Sequence, residues 1–152
     1  MIASMLAAER LAIEAACTWL AYAFCQFSDR NEYESYQGIF TADAVFSRPD
    51  AEYRTAVAIA AALKSRPSFS VVRHVCANPM ITVVDSTHAK GTGILLVYRH
   101  NSETNITDPP VTGDYQDAYV FTELGWQIAS RRVWHSFGPH RDSRASEMRS
   151  TP

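Results

Sequence analysis

No block of like charge runs through this chain, and no apolar run is long enough to cross a bilayer. The formal net charge is −2 and the pI is near 6.2. Nucleic acid calls for a basic face, so this balance argues against it as a partner. Without a polyionic block, a membrane surface is not an expected partner either. Met1 to Cys25 is rich in Ala and Leu, but Glu9, Arg10 and Glu14 interrupt it. It is too broken for a membrane span. It also lacks the basic start and uninterrupted apolar stretch of a signal peptide, and the few cysteines, read as free thiols, fit a reducing cytoplasm.

Cysteine is scarce: Cys17, Cys25 and Cys76 are odd in number and share no metal-type spacing. Each sits in an apolar context, and a buried free thiol is the expectation for all three. His88, His135 and His140 have no common spacing that would build a metal site. A glycine-rich loop that could cradle a phosphate is missing too. The expectation is therefore no metal and no cofactor.

What remains is an ordinary globular balance, 47% hydrophobic and 20% charged over 152 residues. That is enough for one domain with a sizeable core. Leu6, Ile13, Cys17, Leu20, Phe24 and Phe27 recur at helical spacing and predict a first helix from Ser4, a plausible N-cap, to Phe27. The chain then breaks at Ser28-Asp29-Arg30-Asn31. Asn31 with Glu34 reads as a capping pair for a second helix ending near Phe40, which would leave Asp29 free for another task.

Ala44-Val45-Phe46 reads as a short strand, and Thr55 to Lys64 as a third helix stopped by the Arg66-Pro67 step. From Ser70 the pattern turns to β. Val71 to Val84 and Thr87 to Arg99 form two strands joined around Asp85-Ser86. A polar loop, Asn101 to Gly113, precedes two more strands, Asp114 to Thr122 and Trp126 to Phe137. Gly138 to Pro152 is polar without periodicity, so residues 1–137 are read as the domain and 138–152 as a disordered tail. Helices followed by a meander of long strands give an α+β class. A strongly bent sheet around a long helix leaves a cavity suited to a small apolar ligand.

Several short runs carry a family resemblance. They are Ser28-Asp29-Arg30-Asn31-Glu32-Tyr33, Thr41-Ala42-Asp43-Ala44-Val45-Phe46, and Val72-Arg73-His74 with Asn78-Pro79. Gly113-Asp114-Tyr115-Gln116-Asp117 and Gly125-Trp126-Gln127-Ile128 complete the set. In this order and spacing, over roughly residues 8–137, the chain resembles the NTF2-like superfamily in its SnoaL-like, scytalone dehydratase-like branch. The resemblance implies a cone, with three N-terminal helices packed on a strongly curved antiparallel sheet that encloses a pocket. It implies a homodimer or higher homo-oligomer, and a small cyclic or apolar organic ligand. In the dehydratase branch the catalytic pair is an Asp at the end of the first helix and a His on a sheet strand, matching Asp29 and His74. Ser28 stands where those dehydratases have a tyrosine, Arg99 where they have a second pocket histidine, and Asp117 near a pocket amide. These departures argue against scytalone itself as substrate.

An Asp bonded to one imidazole nitrogen fixes the tautomer and aims the other nitrogen into the cavity. That suits elimination of water from a β-hydroxy carbonyl compound, or an enolising isomerisation. The alternatives are a half-buried strand histidine bonded to backbone, and for Asp29 a solvated inter-helix carboxylate or a second cap. Arg99 reads as an anchor for an anionic or carbonyl group, or as a rim arginine. Asp117 reads as a pocket acid, or as the cross-strand partner of Arg99 or Arg132. Tyr22, Tyr53 and Trp134 are candidate pocket aromatics, with ordinary core as the alternative; a position off the main apolar stripe would let the Tyr22 hydroxyl reach the cavity mouth.

Three functions follow. The first is a cofactor-independent dehydratase or isomerase acting on a small cyclic or polyketide-like hydroxy-carbonyl substrate. The second is a non-catalytic ligand-binding or assembly subunit, like the small subunit of ring-hydroxylating dioxygenases, with Asp29 and His74 separated or filled in. The third is an epoxide hydrolase-type water activation, which needs Asp117 and Arg99 to converge with another acid.

Overall fold

The long apolar stripe folds as helix α1, Ala7–Arg30, and the rest of the chain is arranged about its buried face. The computed structural model describes residues 5–137. Ser4, His140 and the expected tail over 138–152 lie outside the described residues. Ile13, Cys17, Leu20 and Phe24 are buried on one side of α1, as their spacing predicts. Leu6 is not part of this stripe, because it precedes the helix as its N-cap residue and is exposed.

The end of α1 differs from the sequence reading. The helix continues through Arg30, so Asp29 lies in its last turn rather than in a break. Asn31 closes α1 instead of starting the next helix. It adopts the left-handed conformation at φ 56°, and its N–H bonds back to Phe27 and Ser28. Glu32 N–H also donates to the Phe27 carbonyl at 2.9 Å, completing a helix-terminating motif that asparagine tolerates better than most residues. Helix α2, Tyr33–Gly38, then starts from Glu32 with no side-chain cap.

Strand β1 is longer than expected, Phe40–Arg48, and forms a hairpin with an unanticipated β2, Ala51–Arg54. Helix α3, Ala56–Lys64, is capped by Thr55, whose hydroxyl accepts from Ala58 N–H at 3.2 Å. The β half follows as β3 (Ser70–Val83), β4 (His88–Asn101), β5 (Ile106–Thr107), β6 (Val111–Thr122) and β7 (Gly125–Phe137). The short β5 lies inside the expected polar loop and pairs with β4.

The strands make one seven-stranded sheet in the order β2-β1-β7-β6-β4-β3, with β5 alongside β4. Its pairs are antiparallel except β1 with β7. Register shifts interrupt β3 at Ala77/Met80, where Asn78 has φ 51°, and break the β6–β7 pairing twice. Such bulges bend a sheet. The concave face closes over α1, which packs chiefly on β3. The result is the expected α+β architecture of helices on a curved sheet. Cys17 and Cys25 are buried and Cys76 is half-buried, all three as free thiols. No helix among the described residues is long and apolar enough to cross a membrane.

Candidate active site

The last turn of α1 lies against the start of β3, and this contact brings a carboxylate to an imidazole. Asp29 Oδ2 accepts from the backbone N–H of His74 at 2.8 Å, while Asp29 Oδ1 lies 2.6 Å from His74 Nδ1. The Asp29 and His74 side chains are only 12% and 13% exposed. An acid in the last turn of a helix faces the negative end of the macrodipole and gains nothing from the helix. Its placement is explained by the two hydrogen bonds to β3. With Nδ1–H directed at the carboxylate, a neutral His74 carries its lone pair on Nε2.

His74 forms part of the wall of a cavity of about 330 Å³. Phe24, Tyr36, Phe46, Tyr53, Ile59 and Leu63 are among its apolar lining. Phe24 meets the His74 ring edge-on at 6.3 Å. Burial pushes the Tyr36 phenol above its ordinary range, so this hydroxyl stays protonated. The charged lining is basic, with Arg48, Arg66 and Arg99 as well as His74 and no Asp or Glu among the described lining residues.

These arginines differ in how they are held. Arg66 donates to the Ser28 carbonyl at 2.9 Å and to Ser28 Oγ at 3.0 Å, tying α1 to the segment after α3. Arg48 pairs with Asp50 at 3.0 Å and donates to the Tyr53 hydroxyl at 3.2 Å. The Arg99 guanidinium has no hydrogen-bond or ion-pair partner among the described residues. Burial, then repulsion from Arg48, lowers its pKa from the usual arginine range.

A SnoaL-like domain model matches residues 9–132. The chain belongs to the SnoaL-like family. This SnoaL-like fold places it in the NTF2-like superfamily together with its structural neighbours. A Novosphingobium aromaticivorans protein provisionally called a scytalone dehydratase superposes with a TM-score of 0.80 at 18% identity, covering 90% of this chain and 93% of that one. The hexachlorocyclohexane dehydrochlorinase LinA-type3 from Novosphingobium barchaimii gives 0.77 at 17% identity, covering 89% and 94%. ActVI-ORFA from Streptomyces coelicolor gives 0.68 at 20% identity, covering 80% and 96%. At these identities the likeness is one of fold. No curated protein sequence matches the chain.

Within this SnoaL-like fold, Tyr53 and Arg99 line the cavity as the sequence suggested. Tyr22 and Trp134 do not. Tyr22 lies on the outer side of α1 and is 44% exposed. Trp134 alternates with Arg131 and Val133 along β7 and so points to the opposite face of the sheet. Asp117 is also absent from the lining. It pairs with neither Arg99 nor Arg132 but with Arg131, through bonds of 2.7 and 2.6 Å, and it accepts from the Tyr119 hydroxyl at 2.6 Å. The register puts Asp117 directly opposite Arg131, on the inner face.

Arg48, Arg66, Tyr36 and Phe46 are pocket residues that the sequence reading did not single out. Arg66 had a signal, since the Arg66-Pro67 step ends α3 at the cavity mouth. Nothing local in the sequence ties it to Ser28, 38 positions away.

Proposed function

We propose that this chain is a cofactor-independent acid–base enzyme, a dehydratase or isomerase acting on a small cyclic or polyketide-like hydroxy-carbonyl compound. The observation that carries the reading is the double contact between Asp29 and His74, with the imidazole on the wall of a cavity open to solvent. His74 Nε2 takes the proton α to the substrate carbonyl, and the Asp29 carboxylate stabilises the imidazolium that forms. In a dehydration, the same imidazolium returns its proton to the departing β-hydroxyl, which leaves as water. In an isomerisation, it returns the proton to another carbon of the enolate. Tyr36, neutral and in the cavity wall, supplies an O–H for the carbonyl oxygen as negative charge grows there.

The non-catalytic reading calls for Asp29 and His74 to be separated or filled in, and the 2.6 Å contact disfavours it. The epoxide hydrolase-type reading needs Asp117 and Arg99 to converge, whereas Asp117 is held by Arg131.

Solvent deuterium incorporation tests the proposal without requiring the natural substrate. The wild-type chain, offered a panel of cyclic β-hydroxy ketones in D₂O, should exchange the α-hydrogen or release water, as read by NMR. His74→Gln and Asp29→Asn should each lower the rate by about 10²- to 10⁴-fold with the fold retained. Full activity in either variant would sink the reading.

A further inference from the structure

The acid–base pair accounts for one wall of the cavity and leaves its positive charge unexplained. A half-buried cation normally has a carboxylate or a set of acceptors around it, because removing it from water is costly. Arg99 has no carboxylate or acceptor in direct contact among the described residues: Asp108 and Asp50 attract it from beyond ion-pair distance, and Arg48 repels it. Of the acids nearby, Asp29 is engaged by His74 and Asp50 by Arg48, and Asp108 acts on Arg99 without forming an ion pair with it. Arg66 uses one N–H on each terminal nitrogen for Ser28, which leaves three of its five donors for other partners.

The strand register fixes where this charge lies relative to the imidazole. His74 of β3 is opposite Val97 of β4, and Arg99 is opposite Val72. His74 and Arg99 are thus diagonal neighbours on the cavity face, with Cβ atoms separated by about 7–8 Å or less. Both side chains are long enough for one small molecule to touch the two together.

We propose that the cavity takes a small organic acid, its carboxylate held by the Arg99 guanidinium with Arg66 and Arg48 alongside, and its reacting carbon at His74. The planar fork of an arginine matches a carboxylate in a bidentate fashion. The diagonal spacing sets the substrate class: a cyclic acid whose carboxylate lies a few bonds from the C–H that exchanges. This deepens the acid–base reading and rests on it for the reacting end, while the anion end stands on the arginines.

Calorimetric titration at low salt with matched pairs tests it: benzoate against benzamide, cinnamate against cinnamamide, salicylate against salicylamide. At least one acid should bind about tenfold or more tightly than its amide, as expected for a charge-assisted contact. Arg99→Gln should abolish that preference, Arg99→Lys should keep part of it, and His74→Gln should retain it in full. The proposal is overturned if no acid binds, if amides bind equally well, or if the preference survives in Arg99→Gln. Phenyl phosphate binding more tightly than benzoate would overturn the carboxylate assignment. Because His74→Gln reads anion binding without proton transfer, failure of the acid–base chemistry and failure of the anion site give different results.

Discussion

Two regions of the same concave face carry charge, and they treat it in opposite ways. Between β6 and β7, Asp117 and Arg131 are wholly buried and bound to each other through two hydrogen bonds, with Tyr119 adding a third to the carboxylate. The Arg131 guanidinium lies 4.0 Å from the Phe24 ring centroid and 4.6 Å from that of Tyr115. One of its terminal nitrogens finds no acceptor, and those aromatic faces are its surroundings. At the cavity wall, Arg99 lies half-buried with no hydrogen-bond or ion-pair partner among the described residues, although Asp108 and Asp50 attract it from farther off. The first arrangement is paired from within and acts on stability. The second is left open, and an open charge beside a proton-transfer group is what a ligand can use.

The sharpest way to break that comparison is to remove one member of the buried pair. Asp117→Ala leaves Arg131 buried as an uncompensated cation and should lower the unfolding free energy by about 3–5 kcal/mol, measured by urea denaturation. A loss below about 1 kcal/mol would mean that water or a rearranged neighbour reaches Arg131, and the two regions would then be alike.

Why sequence reading reached one of these regions and missed the other has a physical basis. Asp29 at a helix end and His74 in an alternating strand are local signals, and each keeps that place in the structure although α1 runs one turn farther than its sequence pattern. The helices and long strands were legible for the same reason, since Ile13, Cys17, Leu20 and Phe24 repeat at 3.6-residue spacing. The partner of Asp117 was not legible. Arg131 and Arg132 are adjacent, and a register change of one residue moves a strand side chain to the other face of a sheet. The bulge between Ala118 and Tyr119 shifts that register, and no local signal places it. Asn31 misled for another reason: asparagine suits both the start of a helix and a left-handed stop, and the sequence cannot say which helix it serves. The parallel pairing of β1 with β7 joins the first strand of the sheet to the last, so local periodicity carries no trace of it.

A smaller perturbation sharpens the difference by loosening only the packing over the buried pair. Gly93 of β4 lies opposite Tyr115, and a Cβ placed there would come within 2.6 Å of the Tyr115 ring. That ring is 1% exposed and covers the Arg131 guanidinium, so it has little room to move. Gly93→Ala should cost about 1–3 kcal/mol by overpacking. The acid-over-amide preference at the cavity should be unchanged. Loss of that preference in Gly93→Ala would show that the two regions are mechanically coupled.

The smallest effect on stability is expected where the charge is open. Arg99→Leu removes no hydrogen bond or ion pair among the described residues, and it ends the repulsion with Arg48. The sign follows from linkage. Folding lowers the pKa of Arg99, so at neutral pH the folded state holds this charge less favourably than the unfolded chain does. Removing the charge therefore relieves the folded state and leaves unfolding free energy within about 0.5 kcal/mol of wild type, or above it. Urea denaturation in parallel with Asp117→Ala is the direct measure. A loss of more than about 1 kcal/mol in Arg99→Leu would assign Arg99 a structural partner and take away the reason to reserve it for a ligand. Unchanged or raised stability, together with lost acid binding, is the signature of a residue held at a cost to folding for the sake of what it binds.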